Sequence, residues 1–166
     1  MRVALALAVP LAAALLQSAV APFISVGGAR PSLPFVVAAS WSLAAGAGEA
    51  VWWAFAGGLA ADLLSGGPLG ALAVAALPPV ATIGLGERPA PRPIPVLLGA
   101  SFITAAAFVA GVLYLFALAV AGTPLPDPAA LAIQVGGGAI YTGALGIATY
   151  PIARWLSRRT EKQASL

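Results

Sequence analysis

"AFAGGLAADLLSGGPLG", residues Ala54 to Gly70, contains one carboxylate, Asp62, among apolar and small residues. A Ser-Gly-Gly-Pro sequence that begins at Ser65 follows this carboxylate within one helical turn. Burying a carboxylate in apolar surroundings is costly unless hydrogen-bond donors or an opposite charge compensate it. The function of this stretch therefore depends on what satisfies Asp62.

The composition of the whole chain indicates an integral membrane protein. Of its 166 residues, 61% are hydrophobic and only 8% are charged, and the mean hydropathy is +0.99. Soluble domains carry about 25% charged residues, so lipid is the solvent that this composition fits. The chain has neither cysteine nor histidine, which excludes disulfides and the usual zinc and haem ligand sets, and we expect no metal or cofactor.

Breaks at glycine, proline and charged residues divide the chain into six apolar segments. We predict one transmembrane domain over residues 1–166, all α-helical, with a cytoplasmic tail at 157–166. An N-terminal signal peptide is the alternative for the first segment, but Pro22 and five later segments favour a retained helix. The predicted spans are 3–21, 32–45, 49–64, 69–85, 94–121 and 128–156.

The basic residues predict the orientation, because Lys and Arg near the ends of spans are retained in the cytoplasm. With both termini inside, only Arg30 lies outside, and the opposite orientation reverses this count. The seven basic residues then inside are Arg2, Arg88, Arg92, Arg154, Arg158, Arg159 and Lys162. Asp62 is thereby placed near the outer end of the third helix.

Two interpretations of Asp62 follow from this position. It is either a hydrated acid at the membrane interface or a buried acid that faces the bundle interior. Gly58 lies four residues earlier on the same helix face and allows a neighbouring helix to approach closely, which favours the buried position. We expect backbone N–H groups of Ser65, Gly66 and Gly67 to satisfy the acid, with Arg30 as the alternative, cationic partner.

Aromatic and glycine residues elsewhere receive structural interpretations. Trp52, Trp53 and Trp155 lie near the predicted inner boundary and are interpreted as interfacial anchors. The glycines of the last span, Gly136 to Gly138 with Gly143 and Gly146, predict a close-packing surface within the protein rather than a partner site.

Two quoted segments carry a resemblance to a known family. "RPSLPFVVAASWSLAAG", from Arg30, and "EAVWWAFAGGLAADLLSGGPLGALAVAAL", from Glu49, resemble the signature region of MreD, the rod shape-determining membrane protein of bacteria. The shared features are an Arg-Pro entry to the second helix, a Gly-x-x-x-Asp third helix and a Gly-Pro-Leu-Gly turn. The positions that match the family pattern, and are candidates for structural or partner-interface roles, are Arg30, Pro31, Gly58, Asp62, Gly67, Leu69 and Gly70.

The resemblance implies a fold and a role. The fold is a six-helix bundle similar to the substrate-binding subunits of vitamin uptake transporters. The role is that of a non-enzymatic scaffold in the inner membrane, within the cell-wall elongation complex that controls peptidoglycan synthesis and cell shape. The implied partners are MreC, bound directly, and MreB, RodZ, RodA and a penicillin-binding transpeptidase in the same complex. A homodimer is left open.

Other functional classes receive less support from the residues. Asp62 is the single acid fixed deep in a span, accompanied by the neutral polar groups of Gln17, Gln134, Tyr114 and Tyr141, so no acid-base pair for catalysis is expected. The net charge of +3 is explained by lipid anchoring rather than by nucleic acid.

The alternative function is a substrate-binding subunit of a vitamin transporter, which Ala4, Ala8 and Ala12 would suit as a docking stripe. Because the outer halves of the spans supply few polar groups, we expect no pocket for a vitamin-like ligand.

Overall fold

The computed structural model describes residues 2–20, 23–85, 94–125 and 127–164, with side chains described between residues 7 and 160 of these ranges. The predicted all-helical fold class is confirmed. The described part of the chain also contains an isolated β-bridge between Val26 and Ala29. The helices are α1 (Arg2–Val20), α2 (Leu33–Ala45), α3 (Ala47–Ser65), α4 (Ala71–Leu85), α5 (Val96–Val120), α6 (Pro128–Ala132) and α7 (Gly138–Ala164).

The last helical segment differs from the uniform helix that the sequence predicts. A π-helical turn, Ile133–Gly137, joins α6 to α7, so that the three pieces form one continuous helical run. The helix also continues through residues 157–164, which the sequence assigned to a tail. Two helical stretches, Val96–Val120 and Pro128–Thr160, are long and apolar enough to cross a membrane among the described residues.

Helix α2 forms the centre of the bundle. It packs against α1, α3, α4, α5 and α7. Its buried hydroxyls bond to two of these neighbours: Ser40 Oγ lies 2.8 Å from Thr149 Oγ1 of α7, and Ser42 Oγ donates to the Val80 carbonyl oxygen of α4 at 2.6 Å. These bonds satisfy polar groups that would otherwise be buried without partners, and they fix the position of α2 along α4 and α7.

The three tryptophans that the sequence interpretation treats alike differ in burial. Trp52 and Trp155 are about half exposed, consistent with interfacial anchors, whereas Trp53 is buried and stacks on Trp41 with ring centroids 4.6 Å apart. The interpretation of Trp53 as an anchor is therefore wrong. Adjacent residues on a helix point about 100° apart, so Trp53 faces the core where Trp52 faces outward.

Several glycines of the last helical run closely approach other segments of the same chain. A Cβ at Gly146 would lie 2.9 Å from the Ile103 side chain, and one at Gly143 would collide with Thr104. A Cβ at Gly137 would lie 2.8 Å from the Ala29 side chain. The predicted intramolecular packing is thus observed at these three glycines, while Gly136 has open space beside it.

Candidate functional site

Asp62 is buried and forms a cap at the start of α4. Its carboxylate accepts a hydrogen bond from the backbone N–H of Leu72, with Oδ2 3.1 Å and Oδ1 3.4 Å from the nitrogen. The side chain is only 1% exposed, so the interpretation as a hydrated interfacial acid is wrong. A carboxylate at this place also complements the positive end of the helix dipole.

The donor differs from the one that the sequence suggested. The N–H of Gly66 bonds to the backbone oxygen of Asp62 rather than to its carboxylate, at 3.2 Å, and closes the end of α3. Gly66 has φ = 69°, a left-handed conformation that glycine adopts without strain at a helix C-terminus. Backbone donors do satisfy Asp62, but Leu72 of the next helix supplies the observed bond.

Gly58 allows α3 and α4 to approach closely enough for this cap. A Cβ at Gly58 would lie 2.6 Å from the Ala73 Cα and 2.7 Å from the Ala73 nitrogen. No such contact is tolerated between real atoms, and the obstructing atoms are backbone rather than a flexible side chain. The four-residue spacing of Gly58 and Asp62 therefore places the close approach and the cap on one face of α3.

The remaining residues of the Gly-Gly-Pro-Leu-Gly turn have different exposures. Leu69 is 68% exposed, while Gly67 and Gly70 are partly buried. Gly70 has φ = 86°, which L-residues rarely adopt, and its carbonyl accepts a hydrogen bond from the Val74 N–H at 2.8 Å. The turn thus returns the chain into α4 and leaves one large apolar side chain on the surface.

Arg30 and Pro31 lie at the corresponding start of α2. Pro31 is buried, and its carbonyl accepts a hydrogen bond from Gln17 Nε2 at 2.9 Å. Arg30 is exposed, and it forms no ion pair with Asp62 in the described structure. The interpretation of Arg30 as the cationic partner of Asp62 is therefore wrong.

Two residues without an assigned role in the sequence interpretation cap α2. Gln17 Oε1 of α1 accepts the Leu33 N–H at 2.7 Å, and Thr142 Oγ1 of α7 accepts the Ser32 N–H at 3.0 Å. Thr142 in turn donates to the Gly138 carbonyl oxygen at 2.7 Å. The signal for Gln17 was its isolation as an amide in an apolar helix, whereas a threonine in a helix carries no comparable signal.

A cavity of about 650 Å³ lies between the helices beside these caps. Its wall takes residues from α1 to α5, from the π-helical turn and from α7. The polar side chains that line it are those of Gln17, Arg30, Ser32, Ser65, Tyr114, Gln134 and Thr142. The expectation that few polar groups converge in the outer halves of the spans is therefore wrong, because α1, the loop before α2 and the π-helical turn contribute them together.

The π-helical turn forms part of the cavity wall. Gln134 and Val135 both line it, and Val135 packs against Gly111 of α5, where a Cβ would lie 3.0 Å from the Val135 side chain. A Cβ at Gly138 would lie 3.0 Å from the Arg30 carbonyl oxygen. π-helical turns occur frequently at functional sites, and this one couples α5 to the loop before α2.

Some predicted features fall outside the described part of the chain. Arg88 and Arg92 lie outside the described residues, and the side chains of Arg2, Ala4 and Lys162 are not described. Ala8 and Ala12 are exposed on α1. Among the described residues, no three His, Cys, Asp or Glu side chains converge as metal ligands would.

The fold and this site define a class: an all-helical membrane protein whose buried polar side chains cap helices around a central cavity. The family model described as rod shape-determining protein MreD matches residues 1–82, which contain Gln17, Arg30 and the Asp62 cap. The match supports assignment of the chain to the MreD family, and that family implies a role in determining rod shape. No curated protein and no solved structure matches the chain.

Proposed function

We propose that the protein is a non-enzymatic membrane scaffold of the bacterial cell-wall elongation complex, which binds MreC and helps to regulate peptidoglycan synthesis. The family match over residues 1–82 carries this proposal. The site chemistry supports it, because the carboxylate of Asp62 and the amide of Gln17 are engaged with backbone groups of neighbouring helices. Groups bonded in this way hold helices together rather than turn over a substrate.

The proposal includes a location and a set of partners. The protein is a multi-pass protein of the inner membrane with both termini in the cytoplasm, formed by one transmembrane domain. MreC is its direct partner, and MreB, RodZ, RodA and a penicillin-binding transpeptidase belong to the same complex, in which two copies of the chain can also associate. Nucleic acid is not a partner, and no comparison supports the alternative role as a vitamin-transporter subunit.

Burial divides the candidate interface residues into two groups. Pro31, Gly58 and Asp62 are buried and support the starts of α2 and α4. Arg30 and Leu69 are exposed beside those starts and are available to a partner. We therefore place the contact with MreC at the outer end of the bundle, on Arg30 and Leu69.

Co-purification with MreC tests this interface. The full chain with an affinity tag is solubilised from membranes that contain MreC, and the recovered MreC is measured by immunoblot. Leu69→Ala should lower the recovery by about tenfold, equivalent to about 1.4 kcal/mol of binding free energy. Leu97→Ala is the matched control, because Leu97 is 72% exposed but lies at the start of α5. Failure of the wild-type chain to retain MreC would contradict the proposal, and equal losses in both variants would contradict the interface.

Cysteine labelling tests the orientation, since the chain has no native cysteine. A cysteine at Ser65 or Thr123 should react with a membrane-impermeant thiol reagent in intact cells, and one at Gln163 should react only after lysis. Ser157, although also on the predicted inner side, is 5% exposed and would react poorly in either orientation. Labelling at Gln163 in intact cells would reverse the proposed topology.

A further inference from the structure

The central cavity is elongated along the helices. On α3 it is lined by Ala54, Gly58, Ala61 and Ser65, whose spacings of four, three and four residues place them on one helix face. Eleven residues separate Ala54 from Ser65, which corresponds to a length of about 16 Å along the helix. This length is close to half of the roughly 30 Å hydrocarbon thickness, which is the depth of one lipid leaflet.

The two ends of the cavity differ in chemistry. Ala54 of α3, Ala76 of α4 and Ala107 of α5 line one end with small apolar side chains. Ser65 and Arg30 line the other end, where both are exposed. The cavity therefore offers an apolar channel that leads from a polar mouth with a guanidinium group.

Two of the polar side chains that line the cavity are engaged by backbone groups. Gln17 bonds to the Leu33 N–H and to the Pro31 carbonyl oxygen, and Thr142 bonds to the Ser32 N–H and to the Gly138 carbonyl oxygen. These two residues therefore have little remaining hydrogen-bonding capacity for a polar ligand. The whole cavity has a volume of about 650 Å³, and a hydrocarbon chain in its apolar part would make dispersion contacts with the walls.

We propose that this cavity holds one acyl chain of an anionic membrane lipid, with the head group at Arg30. The apolar channel accommodates the hydrocarbon, the length matches one leaflet, and the exposed guanidinium pairs with the lipid phosphate at the mouth. The site shares Arg30 with the proposed MreC contact, and a test on the isolated protein separates lipid binding from MreC binding.

Native mass spectrometry of the purified full chain tests the site, with phosphatidylglycerol as the anionic probe and phosphatidylethanolamine as the zwitterionic one. The wild-type protein should bind one phosphatidylglycerol saturably and prefer it over phosphatidylethanolamine by about tenfold, the factor expected for one charge-assisted contact of about 1.4 kcal/mol. Arg30→Gln should abolish the preference and Arg30→Lys should restore part of it.

Variants of two alanines on α5 separate the cavity from the outer lipid-facing surface. Ala107→Phe places an aromatic ring in the channel and should lower phosphatidylglycerol binding by at least about tenfold. Ala105→Phe is the matched control, because Ala105 is exposed on the same helix and does not line the cavity. Equal binding by the two variants would overturn the proposal.

A photo-crosslinking measurement on the wild-type chain keeps the test independent of variant folding. Phosphatidylglycerol with a diazirine on one acyl chain should label Ala107, Ala110 or Gly111 of α5, or Ala75 and Ala76 of α4, all of which line the cavity. Labelling confined to exposed positions such as Phe116 would overturn the proposal. Displacement of the bound lipid by a water-soluble vitamin would also overturn it, because the cavity would then belong to that occupant.

Discussion

Helices α2 and α4 both begin beside the cavity, but their first N–H groups are satisfied by different chemistry. The start of α4 receives one carboxylate, from Asp62 ten residues earlier in the chain. The start of α2 receives two neutral groups, from Gln17 of α1 and Thr142 of α7. A charged cap is conspicuous in an apolar sequence, whereas a neutral cap divided between two distant helices is not. A charged residue that stands out in the sequence of a membrane protein therefore does not reveal all of its buried polar contacts.

Loss of the α4 cap should give the largest decrease in the free energy of unfolding, because a single side chain, Asp62, provides this cap. Asp62→Ala leaves the Leu72 N–H unpaired in a low-dielectric region and should lower the free energy of unfolding by about 1–3 kcal/mol. Asp62→Asn retains an acceptor oxygen and should lower it less. Thermal unfolding of the detergent-solubilised protein, together with retention of MreC, measures both variants. Wild-type values for Asp62→Ala in both assays would show that the cap is dispensable.

Loss of Gln17, which provides one of the two caps of α2, should give the second-largest decrease in the free energy of unfolding. Gln17→Ala removes the bonds to Leu33 and Pro31 and should lower the free energy of unfolding by about 0.5–2 kcal/mol, as for other helix caps. Ser18→Ala is its control, because Ser18 is exposed and bonds only within its own helical turn. If the two variants unfold at the same temperature, the Gln17 bonds contribute nothing.

Loss of the Thr142 hydroxyl, which provides the other cap of α2, should lower the free energy of unfolding somewhat less. Thr142→Val keeps the branched shape but removes the acceptor for the Ser32 N–H, and we expect a loss of about 0.5–1.5 kcal/mol. Thr82→Val is the control, since the Thr82 hydroxyl bonds only to Pro79 of its own helix. In the double variant with Gln17→Ala the losses should not be additive, because both residues hold the same helix start. Strict additivity would mean that the two caps act independently.

Arg30 should give the smallest effect on stability. Its side chain is exposed, so Arg30→Gln should change the free energy of unfolding by less than about 0.5 kcal/mol. The measurement is the same thermal unfolding in detergent. A loss as large as that of Asp62→Ala would restore the rejected ion pair between these two residues.

The sequence predicted the helical class and the packing role of Gly58, because hydropathy and small-residue spacing act locally along one helix. It assigned backbone donors to Asp62 but selected the wrong segment, since the true donor depends on how α4 folds back on α3. Gln17 and Thr142 were not connected to α2, because their contacts join residues far apart in the chain. The π-helical turn was also missed, since its five residues match an ordinary helix in hydropathy. Long-range geometry is what the sequence pattern lacks.

The central position of α2 has a consequence for biogenesis. This helix has 13 residues, fewer than the roughly 20 that cross a bilayer, and its partners Thr142 and Thr149 lie 110 and 109 residues after Ser32 and Ser40. At about 5–20 residues per second, synthesis of that intervening chain takes on the order of ten seconds. Throughout that interval the Ser32 N–H and the Ser40 hydroxyl lack these partners, so the centre of the finished bundle is completed only when its last helix emerges from the ribosome.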